Sequence, residues 1–582
     1  MPTSSPQGAT PAPNSPRCWQ ALSPHSRRIA MNELIQTATA WRDADIDDDT
    51  RQELDHLLVQ AQAGDETIAA HARAELASAF LGPLQFGTAG LRGPLGPGPS
   101  RMNRMVVTQA AAGFASWLKA HGLDGGTVIV GYDARYKSLD FARDTAEIMR
   151  GAGFRVLLTA EPTPTPVVAF GIQHYGCVAG VVVTASHNPP KDNGYKVYLG
   201  DGSQIIPPVD AEIAAEIAAV AEGSVLELPR AGDYDIVGGE LMEAYVLRTK
   251  SLISPESPTN VRWVYTAMHG VGTKTVRAAA HAIGFPAAYE VPEQADPNPD
   301  FPTVSFPNPE EPGAIDLALG VARETSADVV IANDPDADRC AVAAVVDGDW
   351  RMLTGDELGI ILGDDAIRRD VPGVFANSVV SSTWLAHLAK AGGREHKTTL
   401  TGFKWIGRVK DLAFGYEEAI GYCLDSTAVP DKDGITTAMT VLRIVAELQA
   451  EGLTLADRLD EITKNHGLHA TSQLSVRVAD LSIISDAMAR LRSNPPSELL
   501  GEPVIVTDLA IGTPELPPTD GVELTGRAVH VVARPSGTEP KLKCYLEARL
   551  SVEESTDPPA ARAEGARRLE RLRTEMATAL GV

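Results

Sequence analysis

Five short apolar runs constrain this chain more than any other feature. TVIVGYD (127–133), RVLLTA (155–160), AGVVVTAS (179–186), VRWVYTA (261–267) and ADVVIAND (327–334) read as strands, and each closes on polar, reactive-looking side chains. Ala- and Leu-rich helical segments separate them. Such alternation predicts parallel α/β sheets covered on both faces. Ligands should then gather beyond the carboxyl ends of the strands, where those polar residues fall. At 582 residues the chain is too long for one compact core, and several domains are expected.

Proline-rich and compositional breaks suggest where those domains part. ADPNPDFPTVSFPNPEEPG (295–313) is a long loop, and NHGLHATSQLSVRV (465–478) turns toward a strand-rich C-terminal unit. The expected division is a disordered extension over 1–30, then units over 31–245, 246–355, 356–465 and 466–582, the first opening with an acidic helical segment. Net charge is −25, from 51 basic and 76 acidic residues. Nucleic acid and anionic lipid are therefore poor partners. An anionic substrate would need local cations or a metal to reverse the field. Cys18, Cys177, Cys340, Cys423 and Cys544 are scattered without a C-x-x-C pair, which points to a reducing, cytoplasmic setting without a disulfide framework. No stretch of apolar residues is long enough for a membrane span.

Three short stretches carry chemistry. TASHNPP (184–190) follows a strand-like run and presents Ser186 beside His187. The surroundings do not form a G-x-S-x-G elbow. Neighbouring side chains tend to project in different directions, so His187, although counted with the catalytic set, is a poor base for a triad. NDPDADR (333–339) alternates Asp334, Asp336 and Asp338, which in an extended segment share one face. Three adjacent carboxylates call for a hard cation, Mg²⁺ first. An EF-hand would need Gly and Glu where Arg339 and Val345 stand. A phosphatase loop of the D-x-D type is weakened by Asp338, and a solvated acidic turn is the plain alternative. RPSGTEPKLK (534–543) groups Arg534, Ser536, Gly537, Thr538, Lys541 and Lys543 as phosphate donors without being a Walker A loop.

Together a serine, a carboxylate metal site and a phosphate-gripping loop point to phosphoryl transfer through phosphoserine. A general acid/base is also needed. Lys196 lies ten residues after Ser186, on the expected next strand, and neighbouring cations should push its pKa down.

These residues resemble the α-D-phosphohexomutase family (phosphoglucomutase/phosphomannomutase). TASHNPPKDNGYK resembles its phosphoserine loop, DPDADR its metal loop, GYEEAIGY (415–422) its sugar loop and RPSGTEPK its phosphate loop; FGTAGLRG (86–93), GYDARYKS (131–138), TPTP (163–166), YTAMHGVG (265–272) and TGFKWIG (401–407) fit as well. The resemblance implies three similar mixed-sheet α/β domains and a smaller C-terminal α+β domain around a central cleft. It implies Ser186 as the phosphorylated nucleophile and, with Asp334, Asp336 and Asp338, the Mg²⁺ site. Lys196 becomes the acid/base, Arg92 and Arg339 line the transfer site, Glu417 and Lys404 meet the sugar, and Arg534, Ser536, Gly537, Thr538 and Lys541 grip the distal phosphate. The implied reaction interconverts hexose 1- and 6-phosphates, glucose first, with glucose 1,6-bisphosphate as primer. A phosphosugar is the expected partner and a monomer or homodimer the expected state. One departure leaves the sugar open: Ala419 stands where the commoner G-E-x-S loop has serine. Phosphomannomutase and phosphopentomutase remain alternatives, as do a phosphatase and a silent sugar-phosphate sensor.

Overall fold

The computed structural model of the protein describes residues 24–85, 90–478, 480–536 and 541–582, with side chains from Met31 onward. Three α-helices come first, Pro24–Ala44, Asp48–Gln60 and Glu66–Ala79, so helix begins inside the segment expected as an extension. Asp47 and Asp65 cap the second and third, their carboxylates accepting first-turn amides that have no partner within the helix. Leu34, Leu54, Leu58, Leu76 and Phe80 close a small core of their own.

The first α/β unit holds strands β1 (Leu91–Pro94), β2 (Thr127–Tyr132), β3 (Arg155–Thr159), β4 (Ala179–Val183), β5 (Asp192–Leu199) and β6 (Asp235–Val237), in spatial order 1-5-4-2-3-6. The second holds β7 (Trp263–Thr266), β8 (Tyr289–Glu290), β9 (Val329–Ala332), β10 (Ala341–Val346) and β11 (Asp349–Met352), in order 11-10-9-7-8. The third holds β12 (Val374–Ser378), β13 (His396–Thr399), β14 (Leu412–Glu417) and β15 (Gly421–Cys423), in order 13-12-14-15.

The centres of all three sheets are parallel, as the apolar runs predict. Each also carries antiparallel pairing at one edge: β5 returns against β4, β10 against β9 and β15 against β14. A strand that returns through a short turn needs no crossover helix, so the alternating pattern reports the parallel centre and misses these edges. In each unit the connection between the parallel strand and its returning partner is one of the loops singled out above: 184–191, 333–340 and 418–420. One structural device, used three times, thus presents the chemistry.

The last unit is an antiparallel sheet of β16 (Leu468–Arg477), β19 (Ile505–Asp508), β20 (Val522–Thr525), β21 (Val529–Pro535) and β22 (Lys541–Leu550), ordered 16-22-21-20-19, with the small hairpin β17 (Glu498–Leu499) and β18 (Glu502–Pro503) beside it. Helices Leu481–Ser493 and Pro558–Leu580 pack on it. A continuous apolar core runs from Ile129 and Leu157 through Trp263, Ile331, Phe375 and Tyr416 to Leu468, joining the three α/β units. Close-packed interiors resist shifts, so the three hairpin loops are held in fixed relation. Among the described residues no helix is long and apolar enough to cross a membrane.

Candidate active site

Ser186 follows β4 in a left-handed turn at φ 50°, its amide bonded to Thr184 Oγ1 at 2.9 Å. The turn aims Oγ across the domain boundary, where it donates to Asp334 Oδ2 at 2.6 Å. It also folds the His187 ring back, leaving Nδ1 3.3 Å from Ser186 Oγ. The expectation that these side chains diverge assumed extended backbone and is corrected here. Burial, with Arg339 and Arg92 nearby, holds the His187 imidazole well below its ordinary pKa.

The three aspartates also converge differently from the expected extended face. They sit on a tight turn after β9, in which Ala337 is left-handed at φ 56°. Their ligand oxygens lie within 4.8 Å of one another, all buried. Asp336 Oδ2 accepts from Lys196 Nζ at 2.7 Å and from Thr165 Oγ1 at 2.6 Å, and Asp338 Oδ2 accepts from Lys196 Nζ at 2.7 Å. Their second oxygens, Asp336 Oδ1 and Asp338 Oδ1, are buried and have no hydrogen-bond partner among the described residues. Orphaned carboxylate oxygens are costly to bury. Beside the Ser186 hydroxyl and Asp334, they make a donor set of hard oxygens that fits a divalent cation such as Mg²⁺.

Burial opposes ionisation of all three carboxyls. Lys196 reverses this for Asp336, and Lys196 with Lys432 for Asp338, so both lie below the ordinary range. Asp334, crowded by the other two, is held well above it. Lys196 stands on β5 opposite Val182 of β4, the predicted place. Its pKa moves opposite to the expectation: burial lowers it, but Asp336 and Asp338 outweigh burial and raise it. The anions touching the ammonium decide the sign, and the sequence shows no distances.

Arg92, on β1, donates to Asn188 Oδ1 of the serine loop at 3.2 Å. Arg339 donates to Ala419 O at 2.7 Å and lies 3.9 Å from Glu417 Oε1 and 3.8 Å from Asp338 Oδ1. One guanidinium therefore links the metal loop to the sugar loop, and Cys340 N donates to Ile420 O at 3.0 Å beside it. Glu417 is buried at the end of β14, with its pKa raised by burial against the pull of Lys432 and Arg339. Lys404 lies buried on the short helix Phe403–Ile406, and burial lowers its pKa.

Arg534, Ser536 and Lys541 form a separate group on the β21–β22 hairpin, where Arg534 faces Lys543 across the ladder and Ser536 N donates to Lys541 O at 2.8 Å. Gly537 and Thr538 lie outside the described residues.

Two functional side chains escaped the sequence reading. Arg135, 4% exposed, donates to four carbonyls, three in the serine loop (Ser186 at 2.7 Å, Asn188 at 2.6 Å and Pro189 at 2.8 Å) and Asp192 at the start of β5 at 3.2 Å. Its planar fork suits this clamp. Lys432 lies 3.3 Å from Asp338 Oδ2 and from Asp431 Oδ1, and 5.5 Å over the Phe403 ring. The only local signal was the arginine inside GYDARYKS, and nothing there says which loop it grips.

Residues 83–224, 243–346 and 354–466 match α/β/α domains I, II and III of phosphoglucomutase/phosphomannomutase, and 476–565 match its C-terminal domain. A Haemophilus influenzae protein named "Probable phosphomannomutase" is 47% identical over 456 residues, covering 77% of this chain and 93% of that one. Human phosphopentomutase is 35% identical over 567 residues, covering 87% and 92%. The open form of the Paramecium phosphoglucomutase parafusin superposes with a TM-score of 0.68 at 17% identity, covering 86% of this chain and 96% of that one, a likeness of fold.

Proposed function

Because this chain belongs to the phosphoglucomutase/phosphomannomutase family, whose members are intramolecular phosphotransferases, we propose that it interconverts a hexose 1-phosphate and a hexose 6-phosphate, glucose first, through phosphorylated Ser186. The carrying observation is the 2.6 Å contact of Ser186 Oγ with Asp334 inside a buried three-carboxylate group.

In this reading a free hydroxyl of the bound sugar monophosphate attacks the phosphorus on Ser186. The P–Oγ bond breaks, and a sugar bisphosphate forms. Lys196, an ammonium beside Asp336 and Asp338, gives a proton to the departing serine oxygen, and the amine so formed takes the proton of the attacking hydroxyl. The bisphosphate turns over in the cleft and returns its other phosphate to Ser186. Mg²⁺ held by Ser186 Oγ, Asp334, Asp336 and Asp338 would offset negative charge on the moving group. Arg92 and Arg339 supply fixed positive charge at the same place, preorganised by their bonds to Asn188 and Ala419. Arg534, Ser536 and Lys541, with Gly537 and Thr538, are the proposed grip on the distal phosphate.

Lys404 and Trp405 in TGFKWIG support the glucose preference. Ala419 favours a second reading, a phosphopentomutase, since it removes a hydroxyl from the sugar loop; the likeness to the human phosphopentomutase supports it too. A coupled assay on the 1-phosphates of glucose, mannose, ribose and 2-deoxyribose, primed with trace glucose 1,6-bisphosphate, separates these. Glucose 1-phosphate should be fastest. Equal rates on glucose and mannose would overturn the glucose preference, and a faster pentose would select the second reading.

A further inference from the structure

The Pro-rich loop 295–313 has no part in the scheme above, yet it is tied firmly to the site. The Tyr136 hydroxyl donates to Asp300 at 2.8 Å, and the Phe301 ring lies 4.9 Å from the Arg135 guanidinium that clamps the serine loop. Further along, Asn308 accepts the amide of Glu310 at 3.1 Å through its side chain and that of Glu311 at 3.0 Å through its carbonyl, shaping a local turn. That turn presents Glu310 to a cavity of about 200 Å³. The cavity joins three domains, since Ser381 and Glu418 of the third and Tyr545 of the fourth share it. It far exceeds the ~30 Å³ taken by one water.

The carboxylate of Glu310 is exposed to this cleft but has charged neighbours on several sides. Arg339 and Lys543 attract it, and Glu417 and Glu418 repel it. Desolvation by the cleft walls, reinforced by those two glutamates, pushes its carboxyl up to about 7 against Arg339 and Lys543. Glu418 in turn is oriented by two hydroxyls, Ser381 Oγ at 2.9 Å and Ser378 Oγ at 3.2 Å. Arg339 belongs to the transfer site and Lys543 pairs across the ladder with Arg534 of the distal phosphate group. Glu310 thus feels the charge of both groups while it faces a cavity shared by the second, third and fourth domains.

We propose that Glu310, with Glu418 beside it, is a specificity-determining residue that accepts hydrogen bonds from ring hydroxyls of the phosphosugar, supplying recognition that Ala419 does not. The inference rests on the mutase reading above. A carboxyl group hydrogen-bonds hydroxyls in either protonation state, through short, charge-assisted bonds when ionised, and a site built around such a bond discriminates strongly against a sugar that fails to make it.

The test uses the full chain with Glu310→Gln and Glu310→Ala. Each is assayed for kcat/KM on glucose, mannose, ribose and 2-deoxyribose 1-phosphates, for phosphorylation of Ser186 by glucose 1,6-bisphosphate read by intact mass, and for melting temperature. The expected result is a loss of roughly tenfold or more on the best sugar, the scale of one hydrogen bond to a charged group. The ratio between at least two sugars should shift by a similar factor, while melting temperature and the extent of Ser186 phosphorylation hold. An equal loss on every sugar, no loss on any, or a failure to phosphorylate Ser186 would overturn the assignment. Failure of the mutase reading looks different, because the unaltered enzyme would then isomerise none of the four.

Discussion

Lys196 Nζ lies 2.7 Å from Asp338 Oδ2, an ion pair buried at the meeting of the first and second domains. The same ammonium bridges to Asp336 at 2.7 Å, so one cation compensates two of three neighbouring carboxylates. Removing one partner from a buried pair costs ~3–5 kcal/mol, and losing an acid/base group lowers rate by roughly 10²–10⁴. Lys196→Met should therefore lower both kcat, by at least about 100-fold, and the melting temperature. Steady-state kinetics and calorimetry check this, and a kcat within threefold of the parent would count against the role.

Arg135 yields a second expectation. Its four bonds reach the carbonyls of Ser186, Asn188 and Pro189 in the serine loop and of Asp192 at the start of β5, and a buried carbonyl left without a bond costs ~1–3 kcal/mol. Lysine keeps the charge but not the fork. Arg135→Lys should slow phosphorylation of Ser186 and lower kcat by about tenfold or more, with little change in KM for the sugar. Arg135→Met should additionally melt at lower temperature. If KM rises while kcat holds, Arg135 does not position the loop.

Asp356 supplies a pH-dependent expectation away from the catalytic groups. It is 5% exposed, and burial pushes its carboxyl from 3.8 up to about 7, with Glu418 adding to the rise and bonds from Ser382 N and the Tyr416 hydroxyl opposing it. A carboxyl whose pKa is raised on folding contributes stability fully below its unfolded value and loses it as pH climbs through the folded value. The window here is pH 4 to 7, and the loss amounts to ~4 kcal/mol at most. Asp356→Asn keeps the acceptor and removes the charge. It should flatten stability across that window and melt higher than the parent at pH 8. A lower melting temperature at pH 8 would contradict this.

Metal removal tests the carboxylate group by two independent readouts. Chelation by EDTA should abolish turnover, with Mg²⁺ restoring it, and Mg²⁺ should raise the melting temperature of the chelated protein. Asp338→Asn should raise the Mg²⁺ concentration needed for half the effect in both measurements. Full turnover in excess EDTA would remove Mg²⁺ from the account.

Much of this was readable from the chain because the informative signals are local. The parallel strands announce themselves as β-branched runs, and the serine, aspartate and sugar loops follow directly from such runs. What could not be read depends on contacts between distant positions. Arg135 meets the Ser186 carbonyl from 51 residues away, and Lys432 meets Asp338 from another domain. The pKa of Lys196 reversed direction because its nearest charges are anions from another domain. His187 reached Ser186 through one left-handed backbone angle that composition does not reveal. The mixed sheets were implied by the family resemblance, and the residue pattern alone does not mark their antiparallel edges, since a strand following a short polar turn looks the same whichever way it pairs.

The central claim is that Ser186 Oγ carries the transferred phosphoryl group. Its most direct test is rapid-quench labelling with glucose 1,6-bisphosphate carrying ³²P, followed by a chase with unlabelled hexose monophosphate. The account predicts label on Ser186 alone, released to the sugar at least as fast as kcat, with Ser186→Ala unlabelled and inactive. Label on another residue, release slower than turnover, or isomerisation by Ser186→Ala would contradict it.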